Sequence, residues 1–158
     1  MIKNVILDTK VFVLLIVGLI DEKYIGSFFR TKEFSIDNYR LLKQKIGSFE
    51  KIFVTPHVVT EFSHLTIEEN SFKDDYKKIV KKFILELTKG NLEEKNIKLS
   101  AIFSNNKIFY LGATDVSLME LCEKNSVVIT SDGRLADKLM AAGQNVLKFI
   151  PTQGFVNY

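Results

Sequence analysis

Four acidic residues stand at positions where regular structure is expected to begin or end. Asp8 directly follows a strongly apolar run, and Asp132 follows a second such run after one serine. Asp115 and Glu61 each lie in the first turns of a segment with helical character. Two carboxylates about 4 Å apart repel by roughly 4 kcal/mol at an effective dielectric constant near 20, so acids brought together favour protonation or a bound cation. Hard divalent ions such as Mg²⁺ or Mn²⁺ prefer these oxygen ligands.

The segments that carry these acids alternate between strand and helix patterns. Continuous apolar runs, which are typical of strands covered on both faces, predict strands over residues 3–7, 52–54, 127–130 and 145–149. Apolar spacing, capping residues and glycine stops predict helices over residues 11–20, 35–46, 56–65, 72–87, 92–103, 113–125 and 134–142. This alternation predicts an α/β fold with a parallel sheet, and no linker or repeat divides residues 1–158 into more than one domain.

The predicted sheet would bring the four acids to one edge, because the carboxyl ends of parallel strands and the starts of the following helices lie on the same side. Taken alone, Asp115 can serve a helix N-terminus, Asp132 a turn, and Glu61 a solvated helix surface. Asp8 is harder to explain so simply, because a charge directly after a buried strand is costly without a partner. The hydroxyl groups placed to hydrogen-bond these carboxylates or their waters are those of Thr9, Thr130 and Ser131.

Composition limits the class of protein. The chain has 158 residues, of which 46% are hydrophobic and 26% charged, as in an ordinary soluble domain. A net charge of +3 permits a polyanionic partner without requiring one. The single cysteine, Cys122, predicts no disulfide framework and a reducing, cytoplasmic setting. The apolar run at residues 11–20 is too short to span a membrane. The sequence has no glycine-rich phosphate loop, which disfavours a nucleotide-binding enzyme.

Four short motifs follow one another along the chain. They are Leu7-Asp8-Thr9, Thr60-Glu61, Ala113-Thr114-Asp115, and Thr130-Ser131-Asp132-Gly133-Arg134-Leu135. In order, spacing and flanking elements, the set resembles the PIN-domain nucleases over essentially the whole chain. The resemblance implies a Rossmann-like three-layer α/β/α fold with a central parallel sheet of about four to five strands. It also implies an endonuclease that depends on Mg²⁺ or Mn²⁺ and cleaves single-stranded RNA by metal-activated water.

The resemblance also assigns roles to residues. The catalytic, metal-binding acids would be Asp8, Glu61, Asp115 and Asp132. Thr9 and Thr130 would be supporting hydroxyls, with Ser131 beside them. Many small members of the family are toxins of toxin–antitoxin pairs, which would imply a protein antitoxin and a homodimer.

Lys10 departs from the family pattern, which often has Asn at this position. Lysine can only donate hydrogen bonds and adds a charge, whereas asparagine can also accept. Lys10 and Arg134 are candidates for contacting substrate phosphate. We predict that Lys10→Asn keeps or raises nuclease activity.

Three alternatives remain open at this stage. His57, Glu61 and His64 share one face of the helix predicted for residues 56–65 and offer a Zn²⁺ ligand set. The lysines spaced four apart along the helix predicted for residues 72–87 form either a solvated face or a phosphate-tracking stripe, and they are Lys73, Lys77 and Lys81. The chain as a whole is either a nuclease or a non-catalytic PIN-like module that binds RNA or protein.

Overall fold

One central sheet organises the computed structural model, which describes residues 1–68 and 74–156. Within those residues the sheet has six strands, β1 (Asn4–Leu7), β2 (Lys51–Val54), β3 (Leu92–Glu94), β4 (Ser126–Thr130), β5 (Val146–Ile150) and β6 (Gly154–Val156). Their order across the sheet is β3-β2-β1-β4-β5-β6. The first five strands are parallel to one another, and β6 runs antiparallel to β5.

Helices cover both faces of this sheet. The described residues form α1 (Thr9–Ile20), α2 (Ile36–Ile46), α3 (Pro56–Ser63), α4 (Asp74–Leu87), α5 (Leu99–Ser104), α6 (Ile108–Leu111), α7 (Ala113–Leu121) and α8 (Gly133–Ala141). Crossovers between parallel strands are right-handed, so connections that step from β1 towards β3 lie on one face and those that lead to β4 and β5 lie on the other. Accordingly α1 packs against α2, α3 and α4, while α8 packs against β4 and β5. The architecture is a three-layer α/β/α fold.

The core is built around β1, β4 and α1. Every residue of β4 is buried, and so are the last three residues of β1. Helix α1 is apolar around most of its circumference because it lies between the sheet and α2, α3 and α4. Gly18 of α1 allows the closest approach, since a Cβ at this position would meet the Tyr39 ring of α2 at 2.4 Å.

The strand order reverses between β1 and β4. The chain leaves β1 towards β2 on one side, and it leaves β4 towards β5 on the other. In register, Leu7 at the end of β1 lies beside Ile129 of β4, so the residues that follow both strands emerge together. A crevice outside the carboxyl ends of the strands at such a reversal is the usual ligand-binding place in open α/β sheets.

The predicted strands and most of the predicted helices are confirmed, but the helix over residues 92–103 was wrong. Its first part is β3, and α5 begins only at Leu99. Leu92 pairs with Ile52 and is buried in the core, while Glu93 forms ion pairs with Lys51 and Lys95. These tertiary contacts outweigh the weak strand propensity of a Leu-Glu-Glu sequence.

The expected number of strands, four to five, was also too low. The sequence analysis missed β6, which follows a turn at residues 151–153 and pairs with β5. The helix predicted to reach residue 125 ends at Leu121, where Cys122 is already extended. The helix predicted from residue 72 is described from Asp74 onward, and Phe72 and Lys73 lie outside the described residues. In the described part of the chain, no helix is long and apolar enough to cross a membrane.

Candidate active site

Asp8 is held in place as the N-cap of α1. Its Oδ1 atom accepts a hydrogen bond from the Thr9 backbone N–H at 2.6 Å, and its Oδ2 atom accepts one from the Thr130 hydroxyl at 2.6 Å. Only 8% of the residue is exposed. The charge that seemed misplaced after a buried strand therefore has two hydrogen-bond donors, one from its own helix and one from the neighbouring strand.

Thr130 connects Asp8 with Asp132. While its hydroxyl donates to Asp8, the same oxygen accepts a hydrogen bond from the Asp132 backbone N–H at 2.9 Å. Asp132 in turn caps α8, because its Oδ1 atom accepts from the backbone N–H groups of Arg134 at 2.7 Å and Leu135 at 3.3 Å. The ends of β1 and β4 are thus joined through one fully buried threonine.

Glu61 is oriented by two hydroxyl groups from different helices. Its Oε2 atom accepts a hydrogen bond from Thr9 at 2.8 Å, and its Oε1 atom accepts one from Thr114 at 2.5 Å. Thr9 opens α1 and Thr114 lies in the first turn of α7, while Glu61 itself lies on α3. Three helices are therefore connected through one carboxylate, α1 and α7 at their starts and α3 near its end.

Asp115 takes its position from the packing of α7 against α3. The Thr55 side chain, which caps α3, shares a buried hydrogen bond of 2.9 Å with the Ser117 hydroxyl. Ser117 also donates to the Thr114 carbonyl at 2.6 Å. Together with the bond between Thr114 and Glu61, these contacts fix the first turn of α7, which carries Asp115.

The acids change one another's ionisation. Burial raises the pKa of Asp8, the hydrogen bonds from Thr130 and Thr9 lower it, and the charges of Asp132 and Glu61 raise it further. Burial also raises the pKa of Asp115, and the charges of Asp8, Asp132 and Glu61 add to this, so that it reaches about 7. Asp8 and Asp115 therefore bind protons more readily than separate, solvated carboxylates do, as expected for buried acids with like charges nearby.

All four acids line one cavity of about 480 Å³. The structure thus brings together the residues that the sequence analysis predicted to meet, at the strand ends where the sheet order reverses. Ser131 and Lys10 also line this cavity, although the Ser131 hydroxyl makes no hydrogen bond to a described residue. One further lining residue, Arg30, was not anticipated.

Three cationic side chains lie around the acids in different ways. The Lys10 ammonium forms an ion pair with Glu33 and lies 5.9 Å from the centre of the Phe34 ring. Arg134 is exposed in the first turn of α8, and its charge opposes the rise in the pKa of Asp115. The Arg30 guanidinium lies over the Phe29 ring at 4.3 Å, so its stem and plane are supported by an aromatic surface.

The donor set fits a hard divalent cation by its chemistry. Four carboxylates line the cavity, and three of them add to burial in raising the pKa of the fourth, Asp115, so a cation would relieve their repulsion. Within residues 1–68 and 74–156, no three carboxylate, imidazole or thiol groups stand close enough together to enclose a metal ion unaided. Mg²⁺ seldom needs such a cage, because it is usually held by one or two carboxylates, several waters and substrate phosphates.

The histidines and the α4 lysines of the other predicted sets do not line this cavity. His57 and His64 do not form a three-residue ligand group with Glu61 among the described residues. Helix α3 ends at Ser63 and a π-helical turn begins at His64, which changes the spacing assumed for a continuous helix. Lys77 and Lys81 line a separate, largely apolar cavity along α4.

Comparison with known proteins shows little similarity. No protein-family model and no curated protein sequence matches the chain. Among solved structures, a domain of a functionally unknown protein from Methanocaldococcus jannaschii DSM 2661 is similar to 99% of this chain over 97% of its own length. The two share 19% sequence identity and superpose with a TM-score of 0.49, a likeness too distant to bear on function.

Thr9 and Thr130 were expected to support the acids and do donate to them, but the sequence analysis missed the other residues that position the acids. Thr114 was noted only as a neighbour of Asp115, yet it donates to Glu61. Thr55 and Ser117 form a buried pair between α3 and α7 that no local pattern predicts. Thr55 has one sequence signal, since it precedes Pro56 at a helix start and so reads as an N-cap.

Proposed function

We propose that this protein is a PIN-like, metal-dependent endoribonuclease that cleaves single-stranded RNA by attack of water on the phosphodiester. The observation that supports the proposal most directly is the shared cavity. Four acids that are far apart in the sequence, in the order and spacing of a nuclease family, line it together. The cavity also lies outside the carboxyl ends of β1 and β4, where open α/β sheets bind their ligands.

A divalent cation bound by Asp8, Glu61, Asp115 and Asp132 would supply an activated water and neutralise charge on the phosphate. The chain's own residues prepare the site for this role. Thr130 and Thr9 donate hydrogen bonds to carboxylate oxygens and so fix the direction of the remaining lone pairs. Burial raises the pKa of Asp8 and of Asp115, and the neighbouring carboxylates raise both further, so a bound cation would offset this repulsion.

The first test is cleavage of a single-stranded RNA by the wild-type protein and by Asp8→Asn. We expect cleavage with Mg²⁺ or Mn²⁺ and none with excess chelator. Replacing a group that merely orients a metal ligand costs about 10- to 100-fold, so Asp8→Asn should lose at least that much activity. The control is Asp137→Asn, which neutralises an exposed carboxylate of α8 that does not line the cavity. Equal cleavage by wild type and Asp8→Asn would disprove the four-acid mechanism.

The alternative is a non-catalytic PIN-like module that binds RNA or protein. Two observations favour it: no three ligand groups of the described residues enclose a metal site unaided, and Lys10 replaces the Asn that is frequent in the family. Such a module would bind single-stranded RNA equally well with chelator and with Mn²⁺ and would leave it intact. Cleavage that depends on both the metal and Asp8 separates the two functions.

A further inference from the structure

Two short helices that pack against α7 carry the most exposed large hydrophobic side chains of the described residues after Met1. Apart from Met1, the four most exposed large hydrophobic residues are Phe109 at 83%, Tyr110 at 75%, Leu99 at 69% and Phe103 at 64%. All four lie on α5 and α6, and we call them the aromatic face. Scattered exposed hydrophobic residues are ordinary, but a concentration of this kind marks a binding surface.

The packing of α5 and α6 explains why this face points outward. Ile102 of α5 is buried, and Leu111 of α6 packs against the core. Because Leu111 lies one turn after Ile108, both stand on one side of α6, and Phe109 and Tyr110 lie on the other. The flat rings of Phe109 and Tyr110 therefore do not pack in the core and remain accessible to a ligand.

The aromatic face is tied to the acidic cavity through α7. Both α5 and α6 pack against α7, and the first turn of α7 carries Asp115. Gly112 joins α6 to α7 with a φ of 83°, a left-handed conformation that lets the chain turn sharply between the two helices. Only four residues separate Tyr110 from Asp115, so a bound chain that contacts the face is close to the cavity.

The charges on these helices suit a polyanion. Lys98 and Lys107 flank α5 and α6, and neither forms an ion pair with a carboxylate of the described residues. The carboxylate of Glu120 on α7 is engaged by the Asn105 side chain at 2.8 Å. Lysine is depleted at the cores of protein–protein interfaces, whereas lysines interleaved with exposed aromatic rings are typical of surfaces that bind single-stranded nucleic acid.

We propose that the aromatic face is a base-stacking subsite that holds single-stranded RNA next to the acidic cavity. Bases stack on Phe103, Phe109 and Tyr110, and Lys98 and Lys107 contact phosphates. Stacking uses the flat face of any base, so the subsite is tolerant of sequence. This inference rests on the proposed function for the identity of its ligand, but it concerns binding and not cleavage.

The test is RNA affinity, measured by fluorescence anisotropy with labelled oligouridylate and oligoadenylate in excess chelator, so that no cleavage occurs. Removing a stacking ring weakens binding of single strands by about 5- to 150-fold, and we expect this loss for Phe109→Ala and for Tyr110→Ala. Phe109→Tyr should keep the affinity, because it keeps a ring. The matched control is Ile79→Ala on α4, which removes another exposed hydrophobic side chain. All of these side chains are exposed, so the variants should fold normally.

Two further measurements separate base stacking from nonspecific binding. An oligomer that lacks bases should bind wild type more weakly, and Phe109→Ala should lose less affinity for it than for the intact oligomer. Lys98→Ala should lower the salt dependence of binding by roughly 0.7 in the logarithmic slope, as expected for one phosphate contact on a single strand. The control for charge is Lys124→Ala, since Lys124 precedes β4 at the opposite edge of the sheet.

The outcomes distinguish this inference from the proposed function. If the protein cleaves RNA but Phe109→Ala and Tyr110→Ala bind and cleave like wild type, the subsite is refuted and the nuclease stands. If no cleavage occurs under any condition but binding depends on these rings, the subsite stands and the nuclease fails. If the same variants abolish self-association in sedimentation experiments and leave RNA affinity unchanged, the face is a protein interface and the subsite is refuted.

Discussion

Replacing Asp115 by asparagine should stabilise the metal-free protein above neutral pH while it abolishes activity. The pKa of Asp115 is raised to about 7 by burial and by the charges of Asp8, Asp132 and Glu61. Above that pH, the folded protein must hold an ionised carboxylate among three other acids, which the unfolded chain need not do. Asparagine keeps the size of the side chain and removes the charge.

The sign of the pH dependence follows from proton binding. A carboxyl whose pKa is higher in the folded than in the unfolded state binds a proton more tightly when folded, so its contribution to stability is greatest at low pH. That contribution is lost as the pH rises from about 4 to about 7. Above this range, the carboxyl group of Asp115 no longer changes the free energy of unfolding with pH. A rise from 3.8 to about 7 corresponds to about 4 kcal/mol, and solvent screening at this partly exposed carboxylate reduces it to about 2 kcal/mol.

The assay is urea unfolding of wild type and Asp115→Asn with excess chelator, at about pH 5 and about pH 8 and constant ionic strength. The variant should gain about 1 kcal/mol on wild type between these two conditions, because part of the contribution is already lost below pH 5. Adding Mn²⁺ at the higher pH should stabilise wild type more than the variant, because a cation offsets the same repulsion. A stability difference that is the same at both pH values, or that changes in the opposite direction, would refute the electrostatic reasoning. Asp137→Asn, at an exposed position of α8, provides the control.

Three further variants probe the support of the site and the departure at Lys10. Thr130→Val removes both the donor to Asp8 and the acceptor of the next turn, so urea unfolding should show a loss of about 3 kcal/mol. Thr114→Val leaves Glu61 with one of its two hydroxyl donors, and we expect RNA cleavage with Mn²⁺ to fall about 10-fold with little change in stability. Lys10→Asn should cleave RNA as fast as wild type or faster.

Each of these predictions has an outcome that contradicts it. A Thr130→Val protein as stable as wild type would mean that the bond to Asp8 contributes nothing to folding. Thr60→Val is the control for Thr114→Val, because the Thr60 hydroxyl donates only to the Pro56 carbonyl within α3. Equal losses in both threonine variants would indicate general damage rather than a misplaced Glu61. A large loss in Lys10→Asn would show that Lys10 takes an active part.

The strands that were predicted correctly from the sequence are those with a recognisable apolar pattern of their own. β1 and β4 each contain three consecutive apolar residues, residues 5–7 and 127–129, as is typical of strands that a sheet covers on both faces. β3 and β6 were not predicted, because they lack such a pattern. Leu92 becomes buried only when it pairs with β2, and residues 154–156 form a strand only because β5 offers an edge. Nothing in three residues carries that information.

The same distinction applies to the candidate site. Asp8 and Asp132 could be placed from the sequence, because a strand end and a helix cap are both recognisable patterns. The hydroxyl of Thr114 reaches Glu61 from a helix that lies 53 positions along the chain, and that pairing depends on how α3 packs against α7. Side-chain networks between helices thus remain beyond pattern analysis, although the acids that they orient do not.

Lys10, which stands where the resembled family often has Asn, changes the charges around the four acids, while all four acids are retained. The Lys10 ammonium pairs with Glu33 and lies over the Phe34 ring, so a carboxylate outside the group of four compensates its charge. The positive charge that opposes the raised pKa of Asp115 comes from Arg134 instead. Asparagine at position 10 would leave Glu33 ionised and unpaired near the cavity, which would make the local potential more negative. Since a more negative cavity attracts a divalent cation more strongly, the substitution is expected to maintain or raise activity.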